Sequence, residues 1–228
     1  MVTRILHRLL LVACILVSAA AVPAASAAEK YYLIVFAWEG NPNLARSAHT
    51  FATFFKVDEK KDAKEGTSAL EARTVSWMPA SLNIRLLAPP EKGVNLDLSQ
   101  SLKHAKTINT AVSAWGPFET KKELFDRAAE QAKRLSAGAV LFKAWGGLAK
   151  PADAINCIQA VSDVADGPLL DTGKAFGTAA SRAVLQHLAR YIIEPRTVHR
   201  EFTKGLGLDA YPITYLDEAP VVKEKNGK

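Results

Sequence analysis

Apolar residues run almost without a break from Tyr31 to Ala37 (YYLIVFA), with no polar alternation, a pattern that suits a strand covered on both faces. Turn chemistry follows in Glu39-Gly40-Asn41-Pro42-Asn43. Thr50 to Val57 predicts a second strand, and the charged run from Asp58 to Gly66 a hairpin loop. Glu71 to Trp77 and Asn83 to Leu87 alternate or carry β-branched residues, so they read as two more strands divided by Pro79. Pro89-Pro90-Glu91-Lys92-Gly93 then breaks the sheet. Leu98, Leu102, Ala105 and Ile108 recur at helical spacing and predict a helix over 97–110. Ala111 to Trp115 reads as a short strand closed by Gly116-Pro117. Thr120-Lys121-Lys122-Glu123 has the form of a capping box, opening a helix striped by Leu124, Ala128, Ala132 and Leu135 and ended by Gly138. Ala139 to Trp145 returns to strand character, and further helices are expected over 153–165 and 178–193, the last stopped by Pro195. The sum is an α+β fold, an antiparallel sheet packed by helices. It occupies one domain over 29–216, followed by a flexible charged tail over 217–228.

The first 28 residues carry a different pattern. Arg4 and Arg8 form a positive head, Leu9 to Val22 an uncharged apolar run, and Ala25-Ser26-Ala27-Ala28 a small-residue cleavage site. These are the three parts of a cleavable export signal, and the run is too short to span a membrane comfortably. The expected mature chain starts at Ala28 or Glu29, lies in the periplasm or outside the cell, and has no transmembrane span. Leu11-Val12-Ala13-Cys14 also resembles a lipid-attachment box, but the apolar run continues past Cys14 where a lipoprotein turns polar.

Removing the signal takes away two arginines and no acid, lowering the net charge from +6 to +4. With no dense basic block and no aromatic interleaving, the charge gives nucleic-acid binding no support. The loss of Cys14 leaves Cys157 as the only cysteine of the mature chain. No internal disulfide can form, so that thiol is buried and inert, paired between chains, or reactive.

Asp153-Ala154-Ile155-Asn156 precedes Cys157 at a helix start, where Asp153 and Asn156 can each accept from free backbone donors. A thiol there sees the positive helix end, which favours the thiolate. The plainer alternative has Cys157, Ile158 and Val161 packing the helix on the sheet. Among the histidines, His7 leaves with the signal, His104 and His187 fall inside predicted helices, and His199 falls in a loop. His49 opens a strand, where its ring can project toward a helix N-terminus. Neither a Gly-x-Ser-x-Gly elbow nor paired metal ligands occur, and the glycines form no phosphate loop, so no cofactor or metal is expected.

The order His49-Thr50-Phe51 on a strand, a strand closing on Ser76-Trp77, and much later Asn156-Cys157 opening a helix resembles the circularly permuted NlpC-like branch of papain-like cysteine hydrolases and acyltransferases. Lecithin:retinol acyltransferase-like proteins belong to that branch. The chain is also similar to an exported bacterial family in which His49 to Phe54, Val75 to Ala80, Trp115 to Glu119 and Asn156 to Asp163 recur together. The resemblance implies a permuted papain-like core with Cys157 as nucleophile and His49 as base. Thr74 and Ser76 are the polar candidates to orient the histidine, and Ser76 is taken as the third catalytic group. Asn156, Gln159 and Trp77 are the binding residues, and the implied substrate is a peptide or lipid of the cell envelope. The sequence departs from that pattern at Gln159, where a histidine is expected, and at the orienting position, where a hydroxyl replaces a histidine, amide or acid. Two other readings stand beside the enzyme: an envelope binding module whose site has decayed, and a dimer joined through Cys157.

Overall fold

The computed structural model describes residues 29–58, 71–145, 153–168 and 170–221. The expected export signal, the body of the charged hairpin loop and the end of the tail lie outside them.

The two apolar runs pair as a long antiparallel hairpin, β1 (Glu29–Glu39) with β2 (Ala48–Asp58). β1 is buried on both faces from Tyr31 to Trp38, as its unbroken apolar pattern requires. β3 (Glu71–Val75) extends the sheet beyond β2, and β6 (Ala111–Thr120) joins β1 on its other edge. β9 (Ile213–Tyr215) lies parallel to β6, giving the order β3-β2-β1-β6-β9. A smaller sheet, β4-β5-β7-β8, is built from Trp77–Pro79, Glu91–Asn95, Leu141–Phe142 and Ala154–Ile155. Among the described residues four α-helices pack on these sheets: α1 (Leu98–Thr107), α2 (Lys122–Ser136), α3 (Cys157–Ser162) and α4 (Gly177–Leu188). The fold is thus α+β with mainly antiparallel sheets, and its buried apolar residues form one cluster from Tyr31 to Leu208.

Several elements differ from the sequence expectation, each for a local reason. Asn83 to Leu87 is turn and coil, and the strand comes instead from Glu91–Asn95, beyond the two prolines. Gly93 fits there because a Cβ would overlap the Trp77 indole, which lies across it from β4. β6 runs straight through Gly116-Pro117, which a bulge opposite β1 accommodates between Leu33 and Val35. Thr120 ends that strand and bridges Ile192, so no capping box opens α2, whose N-cap Lys121 makes no side-chain bond. The 139–145 stretch yields only two strand residues, and the 153–165 stretch a short strand before a six-residue helix. The start of the expected tail is tied down, with Arg200 facing Asp217 and Arg182 facing Glu218.

Candidate active site

Cys157 is the first residue of α3, and Asn156 is its N-cap. Asn156 Oδ1 accepts from Gln159 N at 2.9 Å, and Gln159 Oε1 accepts from Asn156 N at 3.3 Å. This reciprocal capping box explains the departure at Gln159: the side chain serves the backbone of the helix that carries the thiol. Asp153, the other candidate cap, lies outside the helix and gives its carbonyl to Leu141 N. Gln131 of α2 holds α3 from behind, donating to the Ala160 carbonyl at 2.9 Å.

β3 pairs with β2 only as far as Ala52 opposite Val75, so Ala48 to Phe51 run on beyond its end. The Cys157 sulfur meets β2 in that stretch, at the backbone N–H of Thr50, with the N–H groups of Ile158 and Cys157 itself beside it. Burial raises the thiol pKa, and those three donors offset only part of the rise. The thiolate expected from the helix end is therefore not the resting form. A six-residue helix offers a small dipole, and desolvation outweighs it.

His49 is buried at 1% exposure, one residue before Thr50. Thr50 turns to α4, where its hydroxyl meets Ser181 at 2.8 Å, and strand alternation sends the His49 side chain to the face that carries α1. The Trp38 ring lies 4.3 Å from the imidazole. His49 Nε2 and Ser76 Oγ are 3.0 Å apart. Ser76 sits in the break between β3 and β4, where Asn95 takes over the ladder: its Oδ1 accepts from Ser76 N and its Nδ2 donates to the Thr74 carbonyl, both at 2.8 Å. Thr74, the other orienting candidate, bonds Thr53 instead. Burial, reinforced by the nearby His104, holds the imidazole pKa down at about 3, so the ring is neutral at ordinary pH.

The sequence candidates are thus gathered as two groups. His49 pairs with Ser76, and Cys157 is framed by Asn156 and Gln159. No hydrogen bond joins the groups: among the described residues the buried His49 Nδ1 has no partner. Trp77 is fully buried in the core and is not among the residues that line the cavity beside the thiol. Trp145, half-exposed, does line it. Ser101 of α1 was not legible as a site residue, because a serine on a helix gives no periodic signal. It is fully buried and bonds Ser76 Oγ at 2.8 Å.

Cys157, Asn156 and Gln159 lie on the wall of a cavity of about 380 Å³. Leu44, Ile84, Leu86, Phe142, Trp145 and Phe176 bring apolar side chains to its lining, and Asp171 and Lys174 bring charge. Among the described residues no group of three metal-ligating side chains gathers, and no helix is long and apolar enough to cross a membrane. Comparison with protein-family models, with curated proteins and with solved structures gives no match.

Proposed function

We propose that the chain is an exported cysteine-dependent acyl hydrolase or acyltransferase of the cell envelope, acting on an amide or ester carbonyl through Cys157 and His49. The observation that carries this reading is the seat of Cys157. It opens a capped helix, with its sulfur among backbone N–H groups, on the wall of an apolar cavity. Such a wall suits the acyl part of a substrate, and the N–H groups suit the oxyanion of a tetrahedral intermediate. The chain order of histidine strand, sheet and cysteine helix supports a permuted papain-like core.

The chemistry starts from a neutral pair. His49 Nδ1 takes the thiol proton as the sulfur attacks the carbonyl carbon, and the imidazolium then protonates the departing amine or alcohol. Water or an acceptor nucleophile releases the acyl group by the same steps in reverse. Thiol and imidazole must meet for this, and catalytic hydrogen bonds absent from a free enzyme commonly form in the substrate complex.

The partnerless Nδ1 and the raised thiol pKa favour a second reading, an apolar-ligand binding module without turnover. Incubation with p-nitrophenyl octanoate followed by intact-protein mass spectrometry separates the two. Nitrophenol release with an octanoyl adduct lost in Cys157→Ser supports the enzyme. Protection of Cys157 from alkylation by octanoate, with neither adduct nor release, supports the binding module.

A further inference from the structure

The residues around His49 extend one step further than a Cys-His pair, to α1. Ser101 Oγ lies 2.8 Å from Ser76 Oγ and 2.7 Å from the Asp97 carbonyl oxygen, and donates to both. Asp97 is the α1 N-cap, fixed by its own capping box with Gln100. His49, Ser76 and Ser101 are each no more than 1% exposed. A line of polar groups thus runs from a helix N-terminus through two hydroxyls to one nitrogen of a buried imidazole. Among the described residues the other nitrogen has no partner.

We infer that Ser101 is a positioning residue of the proposed acyl transfer: acting through Ser76, it holds the His49 ring by Nε2 and reserves Nδ1 for the Cys157 proton. The inference rests on the acyl-transfer reading for its chemistry and on hydrogen-bond geometry for its connectivity. When Nδ1 takes the thiol proton, both ring nitrogens carry protons, and Nε2–H needs an acceptor. Ser76 Oγ can supply it, because a hydroxyl has two lone pairs and one proton. For Nδ1 to be free, the neutral ring must already carry its proton on Nε2, so Ser76 Oγ accepts from Nε2–H before and after the transfer, and Ser101, sharing its single proton between Ser76 and the Asp97 carbonyl, keeps that oxygen in place. An acid at this place would instead hold the ring charged. His104 on α1 is the other titratable ring acting on His49, and its electrostatic effect also opposes a charged His49.

The test is a long-range proton-nitrogen spectrum of the histidine imidazoles in wild type, Ser101→Ala, Ser76→Ala and the double variant, with His49→Gln to assign the signals. Ser101→Ala is expected to shift the His49 nitrogens toward a different tautomer balance while thermal unfolding stays cooperative. Adding it to Ser76→Ala should change nothing further, the non-additivity expected of groups in one chain. Turnover of the octanoate ester should fall about 3- to 10-fold in kcat with KM unchanged, the range of one lost hydrogen bond of about 1 kcal/mol. His49 nitrogen signals that are the same with and without the Ser101 hydroxyl overturn the inference. So do equal shifts from Ser101→Ala in the presence and absence of Ser76. A wild type that shows the coupled shifts but turns over no ester leaves the relay standing and removes the acyl-transfer reading.

Discussion

His49 Nε2 faces Ser76 Oγ across 3.0 Å, a contact between residues 27 positions apart that ties the first half of the site together. It fixes how the protein responds to acid. The buried ring keeps a pKa of about 3, while in the unfolded chain it returns to about 6.5. The unfolded state therefore binds the extra proton between these values. Stability from this group is full above pH 6.5 and is lost as the pH falls toward 3, at about 1.4 kcal/mol for each pH unit well inside the window. Urea unfolding from pH 8 to 4 should show that slope, and His49→Gln should flatten it. His104 and His187, also lowered by burial, retain a smaller slope of the same sign. An unchanged slope in the variant would mean that His49 is not neutral in the fold.

The capping box that seats Cys157 should be measurable on its own. Asn156→Ala removes the acceptor for Gln159 N and is expected to cost about 1 kcal/mol, as N-cap deletions do. Gln159→Glu keeps an acceptor for Asn156 N and should cost much less. Thermal unfolding of both variants checks this, and equal losses would show that Gln159 acts through something other than the cap.

The packing of Trp77 makes a sharper structural prediction. A Cβ at position 93 would enter the indole, so Gly93→Ala should destabilise by roughly 1–3 kcal/mol, the cost of overpacking a well-filled core. Combining it with Trp77→Leu should recover part of that loss, seen as a double-mutant coupling in chemical denaturation. Additive losses would place the strain elsewhere.

The buried thiol should be a sluggish nucleophile toward small reagents. Iodoacetamide labelling of Cys157 at pH 7 is expected to be slower than that of a free cysteine in the same buffer and to rise steeply above pH 9, because burial raises its pKa. Fast labelling at neutral pH would show that the three backbone donors outweigh desolvation.

What the sequence made legible follows from where its signals are local. The unbroken apolar run of β1, the stripe of α2 and the Asn156 cap before Cys157 each express one element's own chemistry, and each was readable. Other features depend on residues far apart in the chain. β5 lies beyond two prolines and packs its Gly93 under the Trp77 indole, where a Cβ would not fit. α4 begins where it does partly because Glu39 on β1 accepts from Thr178 N at 2.5 Å, a cap supplied from 139 positions away. Ser101 joins the site through the same kind of distant contact. The thiol's charge state depended on burial, which no spacing rule reports, and the helix-end argument alone gave the wrong direction.

The central claim is that Cys157 and His49 act on one carbonyl. The most direct measurement is the rate at which an acyl group from p-nitrophenyl octanoate reaches the Cys157 sulfur, followed by rapid quench and mass spectrometry in wild type and His49→Ala. A single adduct at Cys157 is expected, formed about 10²- to 10⁴-fold more slowly without the imidazole, as loss of a general base requires. An adduct that forms at the same rate in His49→Ala would contradict this.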